Sequence, residues 1–482
     1  MKQPLSDSSS CPATASHGNH RLGSYEPTSV LDPIATSTST GSPATTLAAP
    51  AHAGTLQGTP HHPHDDWDAL SWLLSPDDQK DGTGELFSLN AHQHSSPFDV
   101  LADPFDPYSC SPPAESHEQH LRAAAEAVWA GDSVAASGML ARLTQALPHP
   151  PRTPPQRAAS HFAEALQSLL AAPDQFLARP ERPAVSAADV IRRIGAQRAF
   201  ACLSPVPQFA SFTANQTLLE AFEAPFHIVD FDLGLGGQWS SFVEEVAARR
   251  LPSQHATATP AVRVTAVVHE ETAETLLAAD NLRDFACGLG VRFAIDVVRL
   301  DALAVGSIRA SGDEAVAVVL SPAIFRHLAA TRPDASDALL EFIRRSDPRV
   351  VVLVDAEVSL GAGEGVAPLM RSLESCTVLT ESVEAAAAVS AGEDAMLRVD
   401  RGVVRERAYA AVRSWWSRCE PWKETVVRAR WAPVALSDLA TAQAEWIVRR
   451  APVEGYRVVR RDGALVLCWH GYDLAATSAW RC

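Results

Sequence analysis

PFHIVDFDLGLGGQW, residues 225–239, decides how the chain is read. Phe226 to Val229 form an apolar run of strand length, and Asp230 and Asp232 stand where it ends. Gly234, Gly236 and Gly237 then supply a tight turn into a helix that starts near Gln238 and Trp239. A strand, a glycine turn and a helix in that order aim backbone N–H groups at the mouth of an α/β sheet, where ligands dock. The same turn also serves where glycine only lets a helix approach a strand. The stretch therefore predicts either a ligand loop or a structural one.

Outward from it, further strands are expected over 262–268, 291–298, 314–321 and 349–356, with helices between them. Each strand is nearly continuous in apolar residues, which specifies a largely parallel sheet covered on both faces. Upstream, 117–221 is mainly helical. Leu121, Leu140 and Leu143 contribute to its apolar spacing, and Gly131-Asp132 marks a break. These helices are expected to form a cap whose leucines a partner protein also uses. Near the carboxyl end, Arg461-Asp462-Gly463-Ala464 signals a hairpin, followed by a tail through Trp480. Trp415, Trp416, Trp422 and Trp431 are expected to form an aromatic layer beneath it. The fold class expected is α/β: a Rossmann-like, methyltransferase-type sheet with helices on both faces, an N-terminal helical cap and a C-terminal antiparallel hairpin.

Composition narrows the function. The 482 residues carry a formal charge of -17, so the molecule as a whole repels nucleic acid. The 8 cysteines include no close CxxC pair, which argues against a zinc finger and a disulfide framework. No apolar leader and no long apolar run are present, so neither secretion nor membrane spanning is expected. Residues 1–116 are rich in Ser, Thr, Pro, Ala, Gly and His and are expected to be a disordered low-complexity region. Within them, DDWDALSWLLSPDD presents Trp67, Leu70, Leu73 and Leu74 between acids, the pattern of a segment that folds against a partner. The remainder, 117–482, is expected to be one domain, with 117–221 as its helical part and 225–482 as its α/β core.

The enzyme hypothesis is an S-adenosylmethionine-dependent methyltransferase, or a small-molecule-binding protein, using the Gly234–Gly237 loop, with Glu270 or Glu271 toward a ribose. Against it, Leu233, Leu235, Gln238 and Trp239 crowd the space a nucleoside needs, and Asp230 and Asp232 serve equally to orient the loop. No nucleophile elbow, clustered metal ligands or P-loop lysine appears. No catalytic residue, metal or cofactor is expected, and the loop is read as structural or as a vestigial ligand site. The nucleic-acid hypothesis rests on Arg428, Arg430, Arg449, Arg450, Arg457, Arg460 and Arg461, which would meet the phosphates of double-stranded DNA if they converge.

Several separated blocks carry a resemblance. HIVDFDLGLGGQW resembles the VHIID motif of the plant GRAS family of transcription regulators, and SPVPQFASFTANQ the block before it. VAPLMRSLESCTVLTESVEA is similar to a middle block, and GYRVVRRDGALVLCWHGYDLAATSAW to the family's SAW motif. The resemblance runs from Leu121 to Cys482 and is nearest the hairy-meristem, scarecrow-like subgroup. It departs at Glu381-Ser382-Val383-Glu384 and keeps the arginine–glutamate feature only as Arg405-Glu406. The resemblance implies a nuclear, non-enzymatic regulator. Its implied partners are transcription factors or other GRAS-type proteins, possible homo- or heterodimers among them, with direct DNA contact as a further possibility.

Overall fold

The computed structural model describes residues 117–178, 186–223, 225–249, 261–303, 314–331, 334–356, 363–390 and 392–482. The expected N-terminal region, with Trp67, Leu70, Leu73 and Leu74, lies outside them.

The chain opens with helices α1 (His117–Trp129), α2 (Ser133–Ala146) and α3 (Pro154–Ala171). Gly131, at φ +81°, turns the chain between the first two, and the Asp132 carboxylate caps α2 by accepting from Ala135 N at 2.9 Å. Then come α4 (Pro173–Ala178), α5 (Ala187–Leu203) and α6 (Val206–Glu220). Helix α5 runs unbroken through Gly195, which lies inside it without a positive φ.

The strands are β1 (Phe226–Asp230), β2 (Ala261–Val268), β3 (Arg292–Arg299), β4 (Ala315–Leu320) and β5 (Val350–Asp355). Helices α7 (Gly237–Ala248), α8 (Ala273–Gly288), α9 (Pro322–Thr331) and α10 (Ala335–Ser346) lie between them in sequence. After β5 follow α11 (Ala367–Ser390), α12 (Glu393–Val399), a π-helical turn over Asp400–Val404, α13 (Arg405–Trp416) and α14 (Trp422–Arg428). Short β6 (Ala432–Val434), α15 (Asp438–Arg449), β7 (Tyr456–Arg461), β8 (Ala464–Trp469) and β9 (Tyr472–Arg481) complete the chain.

The sheet runs β3-β2-β1-β4-β5-β9-β8-β7, with β6 pairing β9 as well. Its first five strands are parallel and the rest antiparallel. Side-chain alternation divides the parallel strands between two cores. Phe226, Ile228, Ala317, Val319, Val350 and Val352 face the core shared with α6, α7 and α8. Val229, Val318, Leu320, Val351 and Leu353 face α9, α10 and the indoles of Trp422, Trp431 and Trp480.

The largest core lies elsewhere. Leu121, Leu140, Leu143, Phe162 and Leu166 pack with Leu369, Leu379, Val412 and Trp415, so helices before β1 and after β5 build one body. Leu465, Leu467, Trp469 and Leu474 from the antiparallel strands rest against it. This corrects the expected fold class. The fold is largely α-helical, with helix over 62% of the described residues and one small, open, nine-stranded sheet, rather than a closed Rossmann-like, methyltransferase-type sheet. Apolar strand runs reveal which residues are buried but not how much helical mass lies beside them, and here that mass comes from two distant parts of the sequence.

Two local expectations also change. The tail is β9, which inserts between β5 and β8 with Val351 opposite Trp480 and Leu467 opposite Ala475. Its Ala-Ala-Thr-Ser-Ala run has weak strand propensity, and burial on both faces overrides that preference. The four tryptophans do not make one layer: Trp415 packs in the helical body, while Trp422 and Trp431 pack under β4 and β5.

Candidate functional site

The glycine turn after β1 is built by its own side chains. Asp230, 1% exposed, accepts from Asp232 N through Oδ1 at 2.9 Å and from the Trp239 indole Nε1 through Oδ2 at 2.8 Å. Trp239, fully buried, also packs edge-on against Phe242 with ring centroids 5.6 Å apart. The indole thus fills space beneath the turn and satisfies a buried carboxylate that would otherwise be costly.

Gly234 and Gly236 stand at φ +57° and +76°, a region that disfavours side chains. A Cβ on Gly236 would also lie 3.0 Å from Leu282 Cδ1, so this glycine brings α7 close to α8. A Cβ on Gly237 would meet nothing within 4 Å. From α6, Asn215 Nδ2 donates to Gln238 O at 3.0 Å and to Ser241 Oγ at 3.3 Å, clamping the start of α7. Asn215 Oδ1 and Gln238 Nε2 are buried without hydrogen-bond partners. The neighbouring Gln216 takes no part in this clamp and donates to Glu220 within its own helix at 2.7 Å.

Glu270 and Glu271 are both exposed beyond β2. The residues present fit S-adenosylmethionine poorly, since the loop's buried acid is engaged by an indole and a backbone N–H.

A second strand end repeats the arrangement, which sequence reasoning missed. Asp355, 2% exposed at the end of β5, accepts from Trp422 Nε1 at 2.9 Å. Trp422 in turn stands edge-on to Trp480 of β9, with centroids 6.3 Å apart. No sequence spacing links Asp355 to Trp422, 67 positions later; only the fold joins them.

Most of the arginines are engaged by neighbours. Arg428 bridges Glu420 and, at 2.8 Å, Asp337. Arg449 faces Glu445 at 3.7 Å, and Arg450 lies over the Trp446 ring at 4.6 Å. Arg460 donates to Asp438 Oδ1 at 2.7 Å and to Thr441 Oγ1 at 2.6 Å, while Arg461 meets Asp473 at 2.6 Å. Arg430 and Arg457 are exposed. Neighbouring acids thus neutralise much of the charge that the sequence concentrates here.

Leu121, Leu140 and Leu143 are each 0% exposed. They hold the helical body together and present no surface to a partner. Among the described residues, no group of three or more His, Cys, Asp or Glu side chains is placed to hold a metal, and no helix is long and apolar enough to cross a membrane.

Comparison with known proteins follows this geometry. The GRAS domain family matches residues 117–481. Scarecrow-like protein 15 of Arabidopsis thaliana is 37% identical over 359 residues, covering 71% of this chain and 70% of that protein. Scarecrow-like protein 6 of the same plant is 34% identical over 380 residues, covering 76% of this chain and 62% of that protein. The crystal structure of SCL7 from Oryza sativa superposes with a TM-score of 0.59 at 26% identity, over 76% of this chain and 99% of that one.

Proposed function

Because the chain belongs to the GRAS domain family, whose members are nuclear plant transcription regulators acting through protein partners and not enzymes, we propose that it reaches promoters through other proteins. Its proposed partners are DNA-bound transcription factors and other GRAS-type chains, the latter giving homo- or heterodimers. Residues 117–482 would act as one regulatory domain. The acid-flanked Trp67, Leu70, Leu73 and Leu74 would contact the transcription machinery.

The observation that supports this reading is the pair of strand-end carboxylates. Asp230 and Asp355 stand where a sheet of this kind offers acids to a ligand, and both accept from buried indoles. The frame is therefore spent on holding its own turns and leaves function to the surface. The Gly234–Gly237 loop is accordingly proposed as structural.

Direct contact with double-stranded DNA is the competing reading. Phosphate binding by Arg428, Arg460 or Arg461 must displace existing ion pairs, which lowers the gain from counterion release. The test is a binding titration of the full-length protein on a panel of duplexes across salt, with and without a DNA-bound transcription factor that co-purifies with it. The expected result is retention on DNA only with that factor present. A salt-dependent complex of the protein alone, weakened by replacing Arg449, Arg450, Arg457, Arg460 and Arg461 with Gln, would overturn it. Light scattering over a range of concentrations tests the dimer.

A further inference from the structure

Helix α15 packs against α6 and β7 and buries Ala440, Ala444 and Ile447. Its opposite side carries a second apolar stripe. Leu439 is 55% exposed and Trp446 49%, and Ala442 lies exposed between them. Their spacing of three and then four residues puts all three on one face of the helix. A helix with one buried face is expected to be polar on the other, so core packing does not account for this stripe. We infer that it is a docking face for a second copy of this chain, with the α15 helices of the two copies antiparallel about a dyad near Ala442. This names the surface of the homodimer proposed for this protein and rests on that reading.

A dimer of this kind needs a patch that is complementary to itself, and α15 is so when turned end for end. Leu439 of one copy meets Trp446 of the other. Ala442 meets Ala442, whose small side chain lets the helix axes approach to about 8 Å. Asp438, at the amino end, then stands beside Arg449 of the second copy, because both lie on the same flank of the stripe. Both charges are accessible. Asp438 is fully exposed even with its Oδ1 accepting from Arg460, and Arg449 is 63% exposed beside Glu445 at 3.7 Å.

The whole chain carries a formal charge of -17, which opposes self-association, but this face does not. Asp438 and Glu445 are balanced by Arg449 and Arg450, so two copies meet here without net like charge. Arg450 lies over the Trp446 ring at 4.6 Å, and about half of the side chain still faces solvent, as an interface anchor would.

Sedimentation velocity of the full-length protein over a range of concentrations reads the dimer. Trp446→Ser and Leu439→Ser are each expected to weaken it at least about tenfold, the loss for an interface anchor. Asp438→Arg sets like charges against Arg449 of the second copy, and Arg449→Asp does the same against Asp438, so each alone is expected to weaken the dimer several-fold. Mixed together, the two variants restore opposite charges at both contacts and are expected to associate to within about threefold of wild type. Thermal melting establishes that each variant folds, and a helix that was merely destabilised would not be rescued by mixing. Retention on DNA through the co-purifying factor is read in parallel and is expected to survive Trp446→Ser. A dimer indifferent to Trp446→Ser and Leu439→Ser would overturn this surface and leave the proposed homodimer standing, whereas a wild-type chain that stays monomeric would overturn both. Mixing without rescue would overturn the antiparallel contact. Loss of factor-dependent retention in Trp446→Ser, with the dimer intact, would make the face the seat of that factor and overturn the second copy.

Discussion

Trp239 Nε1 donates to Asp230 Oδ2 across 2.8 Å, and both side chains are buried. This bond ties the first residues of α7 to the end of β1. It turns a strand–glycine–helix unit that resembles a ligand loop into a self-contained joint. Replacing Trp239 with Phe keeps much of the apolar volume but leaves one oxygen of a buried carboxylate without that donor. The expected loss is about 2 to 3 kcal/mol, the range for a hydrogen bond to a charged group plus the lost packing. Urea unfolding of the two proteins measures it; a difference below about 0.5 kcal/mol would show the bond to be incidental.

The same substitution at Trp422 removes the donor to Asp355 and is expected to cost a similar amount. Because Trp239 and Trp422 belong to different cores on opposite faces of the sheet, the double variant should lose the sum of the two to within about 0.5 kcal/mol. A larger departure in the double-mutant cycle would reveal coupling through the strands.

Gly236 and Gly237 separate two reasons for glycine. Gly236→Ala must hold a side chain at φ +76° and press it 3.0 Å from Leu282, so a loss of about 1 to 2 kcal/mol is expected. Gly237→Ala enters open space in the first turn of a helix and should be neutral or stabilising by up to about 1 kcal/mol. Thermal melting of both variants decides it, and equal losses would refute the distinction.

Glu164 and Arg405 join α3 to α13 at 2.6 Å, with the Tyr409 hydroxyl 3.2 Å from the same guanidinium. Partial burial alone would raise the Glu164 pKa, but the hydrogen bond and charge of Arg405 outweigh it and hold the carboxyl below its usual range. A carboxylate lowered in the folded state contributes stability above its unfolded pKa of about 4.3, and that contribution fades as pH falls through the lower folded value. Glu164→Gln should therefore cost at most about 1 kcal/mol at pH 7, since the pair is partly solvated, and the gap to wild type should close below pH 4. Unfolding midpoints between about pH 3 and 7 provide the check. A gap that widens toward acid would contradict the sign.

Burial, then the neighbouring Asp473 carboxylate, pushes the Cys468 thiol up to about 11. At pH 8 it should be almost wholly protonated and hardly alkylated in the folded protein, while Cys202, exposed on α5, reacts. Removing the charge with Asp473→Asn should speed Cys468 alkylation at pH 9, as read by peptide mass mapping.

Much of this architecture is legible residue by residue. The apolar run ending at Asp230, the glycines behind it and the Asp-Gly turn at 462–463 declare strands and turns because their signals are local: side-chain alternation, positive φ and chain reversal. Trp239 is nine positions from Asp230, near enough for sequence to suggest that its ring crowds the turn. It gives no sign that the ring's N–H ends on the carboxylate.

What the sequence by itself determined is the order of elements, the absence of catalytic and metal-binding spacings, and the family blocks. The tertiary structure decided three things. It merged helices from before β1 and after β5 into one body, so that Leu121, Leu140 and Leu143 became core. It drew an alanine-rich tail into the sheet as β9 and set Trp422 on Asp355 across 67 positions. It also set most of the C-terminal arginines against acids or an aromatic ring. Each depends on which surfaces meet when the whole chain buries its apolar area, a long-range choice that local propensity and charge counts do not encode.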